Sequence, residues 1–217
     1  IAAGEEGLVW DEATLAAFLT KPKDVVKGTK MSFAGLRKEQ EIPSGHDSAD
    51  YVVRRLQAPT EDGELVPLTV LHHKDTPLDG SAPCLLYGYG SYGAGMAASF
   101  SHNRLSLVDR GFVYCTAHIR GGDEKGRHWY EQTKKAGKPK TFKDFIAAGE
   151  HLAAEGFTSQ GKVVAMGGSA GGLLMGAVVN TDPELWGAVV AHVPFVDVLN
   201  TMLDDSLPLT PGEWQEW

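Results

Sequence analysis

An α/β fold, with a mostly parallel sheet covered by helices, is predicted by three features of this 217-residue sequence. A hairpin pattern opens its regular part, short apolar runs then alternate with helical stretches, and a Gly-x-Ser-x-Gly pentapeptide joins a β-branched run to an apolar helix. Residues 1–46 are mixed and poorly periodic, and read as a remnant or linker ahead of the domain at 47–217. Residues 11–19 suit a short helix, Pro22, Gly28 and Gly35 interrupt the stretch after it, and Pro43-Ser44-Gly45-His46-Asp47 reads as a turn. Residues 51–58 and 66–73 read as strands joined by the turn Glu61-Asp62-Gly63-Glu64. Residues 83–87 and 112–117 are two further apolar strands. Residues 142–155 form an amphipathic helix whose stripe is Phe142, Phe145, Ile146, Leu152 and Ala153; Gly149 on that stripe lets a neighbour approach closely. A strand at 162–166, a helix at 170–179 and a strand at 188–193 complete the alternation.

Composition narrows the function classes. A net charge of −8, from 28 acidic and 20 basic side chains, argues against a nucleic-acid partner. No window approaches the roughly 18 apolar residues of a membrane span, and the opening residues lack a secretory signal, so no membrane partner is expected. The two cysteines, Cys84 and Cys115, fall in apolar strands and read as buried free thiols, which suits a reducing, cytoplasmic setting.

Gly167-Gly168-Ser169-Ala170-Gly171 is the feature that carries chemistry. It follows Val163-Val164-Ala165-Met166 and opens the helix from Gly172, the strand–turn–helix setting of a nucleophile elbow. A serine on so sharp a turn takes strained backbone angles, and side chains at 167 and 171 would collide with the approaching strand and helix. The helix start aims free amides at developing negative charge, which makes the Ala170 N–H a candidate oxyanion donor. The fold expected is therefore the α/β-hydrolase fold, with Ser169 as nucleophile.

Those residues, with Asp144, Ala148 and Leu152 at fixed spacing before Gly167-x-Ser169-x-Gly171-Gly172-Leu173-Leu174, resemble the active-site signature of the prolyl oligopeptidase family. Within that family, Leu86-Tyr87-Gly88-Tyr89-Gly90-Ser91-Tyr92-Gly93, Ala117-His118-Ile119-Arg120-Gly121-Gly122 and Val193-Pro194-Phe195-Val196-Asp197-Val198-Leu199 are similar to the oligopeptidase B branch. The resemblance covers residues from about 40 onward, and the segment before it looks at most like the end of a propeller domain. It implies a serine peptidase that acts on peptides after Arg or Lys through an acyl-enzyme, without a cofactor. Ser169 matches the nucleophile, Tyr89 the tyrosine whose hydroxyl is the second oxyanion donor, and Glu213 a carboxylate that pairs with the basic side chain of the substrate. Gln215 stands where the family has a second acid, and no acid stands near Ala97 or Ser99, so the resemblance does not extend to dibasic selection.

In this fold the triad runs Ser, Asp, His along the chain. Asp197, Asp204 and Asp205 precede the expected acid, and His192 lies too early for the base and reads as a packed or hydrogen-bonded histidine. The sheet is thus expected to be incomplete at the C-terminus. The isolated chain is expected to be inactive, and its open sheet edge is expected to favour association. Rival readings are weaker. Gly88-x-Gly90-x-x-Gly93 matches a dinucleotide fingerprint but lacks the acid after the next strand. An esterase or lipase of the same fold would carry an HGGG-type loop where Tyr89 stands. A non-catalytic fragment is the third alternative. Adjacent His72 and His73 face opposite sides of a strand and do not suit a metal. Lys134, Lys135, Lys138 and Lys140 read as a solvated basic face, Arg120 as an anchor of the active-site loop by an ion pair, and Trp214 and Trp217 as pocket wall or packing.

Overall fold

A computed structural model describes residues 11–26 and 45–217. It separates into two units, Ile1–His46 and Asp47–Trp217. In the first unit, α1 (Glu12–Thr20) starts where Asp11 accepts a hydrogen bond from Thr14 N–H at 2.7 Å, and α2 (Pro22–Val25) comes next. The interruptions expected at Gly28 and Gly35, and the Pro43-Ser44 part of the expected turn, lie outside the described residues.

The second unit is a six-stranded sheet: β1 (Tyr51–Pro59), β2 (Leu65–His73), β3 (Cys84–Tyr87), β4 (Val113–Ala117), β5 (Val163–Gly168) and β6 (Trp186–His192). The order across it is β1-β2-β4-β3-β5-β6. β1 and β2 form the antiparallel hairpin, from Tyr51↔His73 to Pro59↔Leu65, and β2 meets β4 antiparallel; the remaining pairs are parallel. Alternation sets which face of β2 is covered: Val66, Leu68, Val70 and His72 are buried, while His73 faces the other way and is partly exposed. All five residues of β4 are buried, as a strand covered on both faces requires. Cys84 and Cys115 are buried free thiols, and burial raises both their pKa values, that of Cys84 to about 12.

The described helices of this unit are α3 (His102–Val108), α4 (Arg127–Glu131), α5 (Pro139–Ala154), α6 (Ala170–Thr181), α7 (Val198–Met202) and α8 (Thr210–Glu213). The sequence pattern anticipates α5 and α6 but not the four short ones. The covered face of α5 is Thr141, Asp144, Phe145, Ala148, Gly149 and Leu152, turned relative to the expected stripe; Phe142, Ile146 and Ala153 are only partly buried. Asp144 causes the difference, because an ion pair beneath the helix draws this carboxylate inward. Gly149 does admit a close neighbour: a Cβ there would stand 3.1 Å from Leu185 and 3.3 Å from Trp186.

That ion pair is centred on Arg120, which is 1% exposed in the turn after β4. Its Nε donates to Asp144 Oδ2 at 2.8 Å and its Nη2 to Asp144 Oδ1 at 2.5 Å. On the other side Nη1 donates to Asp62 Oδ2 at 2.6 Å, and the guanidinium lies 5.7 Å from the Trp129 ring centroid. One cation therefore joins the β1–β2 turn, the loop after β4 and helix α5. The expected anchor has Asp144 and Asp62 as its partners.

At the other end of the sheet β6 is mostly exposed. This corrects the reading of His192, which is exposed rather than packed, because β6 has no strand on its far side among the described residues. Among the described residues no helix is long and apolar enough to cross a membrane, and no group of His, Cys, Asp and Glu is placed to hold a metal ion.

Two consequences are measurable. Replacing Arg120 with Met leaves Asp144 buried without its partner and is expected to cost about 3–5 kcal/mol in urea unfolding. Gly167→Ala places a Cβ against the Gly171 carbonyl and 3.1 Å from Gly88 O, and is expected to lower stability by about 1–3 kcal/mol in the same experiment.

Candidate active site

The strand order explains why distant residues meet. From β3 the chain passes to β4 on one side, and β5 then lies on the other side of β3. A crevice opens where the order reverses, beyond the carboxyl ends of the parallel strands. The segment after β3 carries Tyr89, and the turn after β5 carries Ser169, so both reach this crevice. Their approach is close. Gly88 N–H donates to Met166 O at 3.1 Å, and a Cβ on Gly171 would stand 2.9 Å from Gly88 O and 3.4 Å from Tyr89 Cα.

Ser169 caps α6 with φ 56° and ψ −117°, in the left-handed half of backbone space that a serine occupies only under constraint. Four backbone hydrogen bonds hold it there, the longest from Leu173 N–H to its carbonyl at 3.4 Å. Its N–H donates to His192 O at 2.9 Å, and its carbonyl accepts from Gly172 N–H at 2.8 Å and Phe195 N–H at 3.0 Å. Strain of about 1–3 kcal/mol is thereby stored in the turn. The side chain is exposed, while Ala170 beside it is buried. As the first residue of α6, Ala170 has no intrahelical acceptor for its N–H, which is free to face the crevice.

The Tyr89 ring is partly buried. Burial, then the negative charge of Glu213, raise its pKa, while the nearby Ser169 side chain pulls the other way. The net effect keeps the phenol protonated, the state in which it can donate.

Glu213 ends α8 and is held from two sides. Tyr92 donates its hydroxyl to Glu213 Oε2 at 2.5 Å, and Trp217 Nε1 lies 3.3 Å from the same oxygen and 3.1 Å from the Tyr92 hydroxyl. The Tyr92 pKa is pushed up by burial and by this carboxylate. Both bonds end on Oε2, which leaves Oε1 for another cation or donor. Tyr92 itself has φ 63°, a second left-handed non-glycine residue at the same site. Its ring tilts against Tyr89 at 6.3 Å and meets Trp217 edge-on at 5.9 Å, and Trp217 meets Phe195 at 5.2 Å. An aromatic wall thus runs from the oxyanion side of Ser169 to the Glu213 carboxylate.

Sequence reasoning left Tyr92 and Phe195 without roles. Tyr92 stands three residues after Tyr89, but nothing in spacing alone says that its hydroxyl reaches a residue on α8. Of the two uncertain tryptophans, Trp217 belongs to the wall. Trp214 is 47% exposed and donates to Met202 O at 2.9 Å, away from it. Gln215 is exposed. Asp197 is exposed and accepts from Asn200 at 3.0 Å, a local structural bond. Among the described residues no histidine side chain hydrogen-bonds Ser169; His192 meets the turn through its backbone carbonyl.

The basic-loop expectation needs correction at Lys138. Lys135 and Lys140 are exposed, and Lys134 pairs with Glu131 at 2.8 Å. Lys138, by contrast, is 7% exposed and forms an ion pair with Glu216, itself 2% exposed. The cation turns inward because that carboxylate is already enclosed beneath the loop after β3.

The chain matches the model of the prolyl oligopeptidase family over residues 98–217. It is 46% identical over 214 residues to dipeptidyl aminopeptidase BI of Pseudoxanthomonas mexicana, covering 98% of this chain and 30% of that protein. To protease 2 of Moraxella lacunata it is 48% identical over 176 residues, covering 81% of this chain and 26% of that protein. Among solved structures, oligopeptidase B from Leishmania major superposes with a TM-score of 0.80 at 50% identity, over 83% of this chain and 25% of that one. The chain therefore spans about a quarter to a third of the length of these relatives. An α/β-hydrolase sheet, an elbow serine and a match across more than half of its residues place this chain in the prolyl oligopeptidase family of serine peptidases.

Proposed function

We propose that the chain is the nucleophile-bearing part of an oligopeptidase B-like serine peptidase that cleaves peptides after Arg or Lys. The observation that carries this reading is the exposed Ser169 at φ 56°, beside the protonated Tyr89 hydroxyl, where the strand order reverses. Ser169 Oγ attacks the scissile carbonyl and gives up its proton to a base. The Ala170 N–H and Tyr89 O–H stabilise the oxyanion. The amine then departs with a proton, leaving an acyl-enzyme that water hydrolyses. Glu213, with Oε1 still open, is the acid that receives the guanidinium or ammonium of the residue before the cleaved bond.

A histidine and an aspartate from outside these 217 residues complete the triad in this proposal. It is supported by the lack of any histidine side chain bonded to Ser169 among the described residues. An esterase on the same fold is the second reading, and Tyr89 favours the peptidase because it supplies from a side chain the donor that esterases take from a glycine-rich backbone. Exposed Val190, Val193, Val196, Leu199 and Leu203 near β6 support a further proposal, that more protein covers this edge.

Three outcomes are expected. The 217-residue chain alone should hydrolyse an arginyl amide at most marginally, since loss of the base costs about 10⁶-fold in turnover; peptidase-like rates would refute the external base. In the longer protein that contains it, Tyr89→Phe should lower kcat by about 10²–10³-fold. In that protein Glu213→Gln should raise KM for arginyl and lysyl amides while leaving a neutral substrate unaffected, and equal effects on both would remove Glu213 from specificity.

A further inference from the structure

We propose that Lys138 and Glu216 are a positioning pair, a buried ammonium and carboxylate that hold the Tyr89 loop and the Glu213 turn in one register. The inference rests on the proposed role of Glu213 and extends it to residues that touch neither substrate nor reacting atoms.

The geometry is that of a hub. Lys138 Nζ donates to Ser91 Oγ at 3.0 Å and to Gly90 O at 3.4 Å, both in the loop immediately after Tyr89. The same nitrogen pairs with Glu216 Oε1 and lies 4.6 Å from the Trp217 ring centroid. Glu216 in turn donates its N–H to Glu213 O at 2.8 Å, and its carbonyl accepts from Lys135 N–H at 2.8 Å. Trp217 closes the circuit by reaching Glu213 Oε2. One cation therefore contacts the oxyanion loop, Glu216 and the ring of Trp217, one of the two residues that hold the acid.

The pair is costly to bury, so its presence calls for a reason. Ser91, Lys138 and Glu216 are 1%, 7% and 2% exposed. Glu216 Oε2 is buried without a hydrogen bond of ordinary length, although the nearby carboxylate helps burial raise the Tyr130 pKa to about 12. Desolvation lowers the pKa of Lys138, with Glu216 opposing it. Two well-packed apolar residues in place of such a pair are often no less stable. What they would lack is direction: the ammonium donates to one carboxylate, one carbonyl and one hydroxyl in a fixed arrangement, whereas an apolar contact tolerates sliding.

The test uses the 217-residue chain and needs no turnover. Benzamidine, a planar cation that mimics a guanidinium, is titrated by calorimetry into the wild type and into Glu213→Gln, Glu216→Gln and the double variant Lys138→Met/Glu216→Leu. Thermal unfolding is followed in parallel. The double variant is expected to unfold within a few degrees of the wild type yet to bind benzamidine about tenfold more weakly. Glu216→Gln keeps the shape and the acceptor oxygen but loses the charge, and is expected to weaken binding about threefold; it serves where the double variant does not fold. Wild-type benzamidine affinity in a folded double variant, or unchanged affinity in Glu216→Gln, overturns the positioning role and leaves Glu213 as the acid. Benzamidine binding that is absent from the wild type, or insensitive to Glu213→Gln, overturns the reading of Glu213 and the inference with it.

Discussion

Close approach of two backbones, the segment after β3 and the turn after β5, is the constraint on which this site depends. Gly88, Gly167 and Gly171 meet with no room for a Cβ on either turn glycine, and Ser169 is left at the rim in a strained conformation. Strand order makes the meeting possible, because β3 is central and its successor β4 lies on the side opposite β5. Any arrangement that separated β3 from β5 would move Tyr89 away from Ser169, whatever the local chemistry of each. The functional geometry is thus a property of the sheet before it is a property of the loops.

Two buried cations, each paired with carboxylate, tie loops of this unit together. Arg120 with Asp144 and Asp62 ties α5 and the first hairpin to the loop after β4. Lys138 with Glu216 ties the loop after β3 to the last turn of the chain. Neither is best understood as a source of net stability, since desolvating both partners offsets much of their attraction. Their common property is that they connect segments far apart in sequence, and a buried charge is costly to leave unpaired. Such pairs penalise misaligned loops more than they reward the aligned one.

Much of the fold was legible because its elements are long or strongly patterned. The hairpin over β1 and β2, the apolar β4, and helices α5 and α6 each carry a period or an unbroken apolar run that survives in the residues alone. Short helices such as α4 and α8 span too few turns to show one. At the site, the elbow around Ser169 was legible because glycines at 167 and 171 are demanded by local sterics. Tyr89 and Glu213 came from family resemblance, since no local rule links residues so far apart. Lys138 was misread as surface for a related reason: a lysine among lysines looks solvated, and only the fold reveals the carboxylate waiting for it. Tyr92 shows the same limit, as its left-handed backbone and its bond to Glu213 have no signature in spacing.

A crystal structure of the longer protein with a peptidyl-arginine aldehyde is the most direct measurement. The account predicts a covalent bond to Ser169 Oγ, the new oxyanion oxygen between Tyr89 O–H and Ala170 N–H, and the guanidinium on Glu213 Oε1. An adduct on another residue, or one at Ser169 whose oxygen points away from Tyr89, would contradict it.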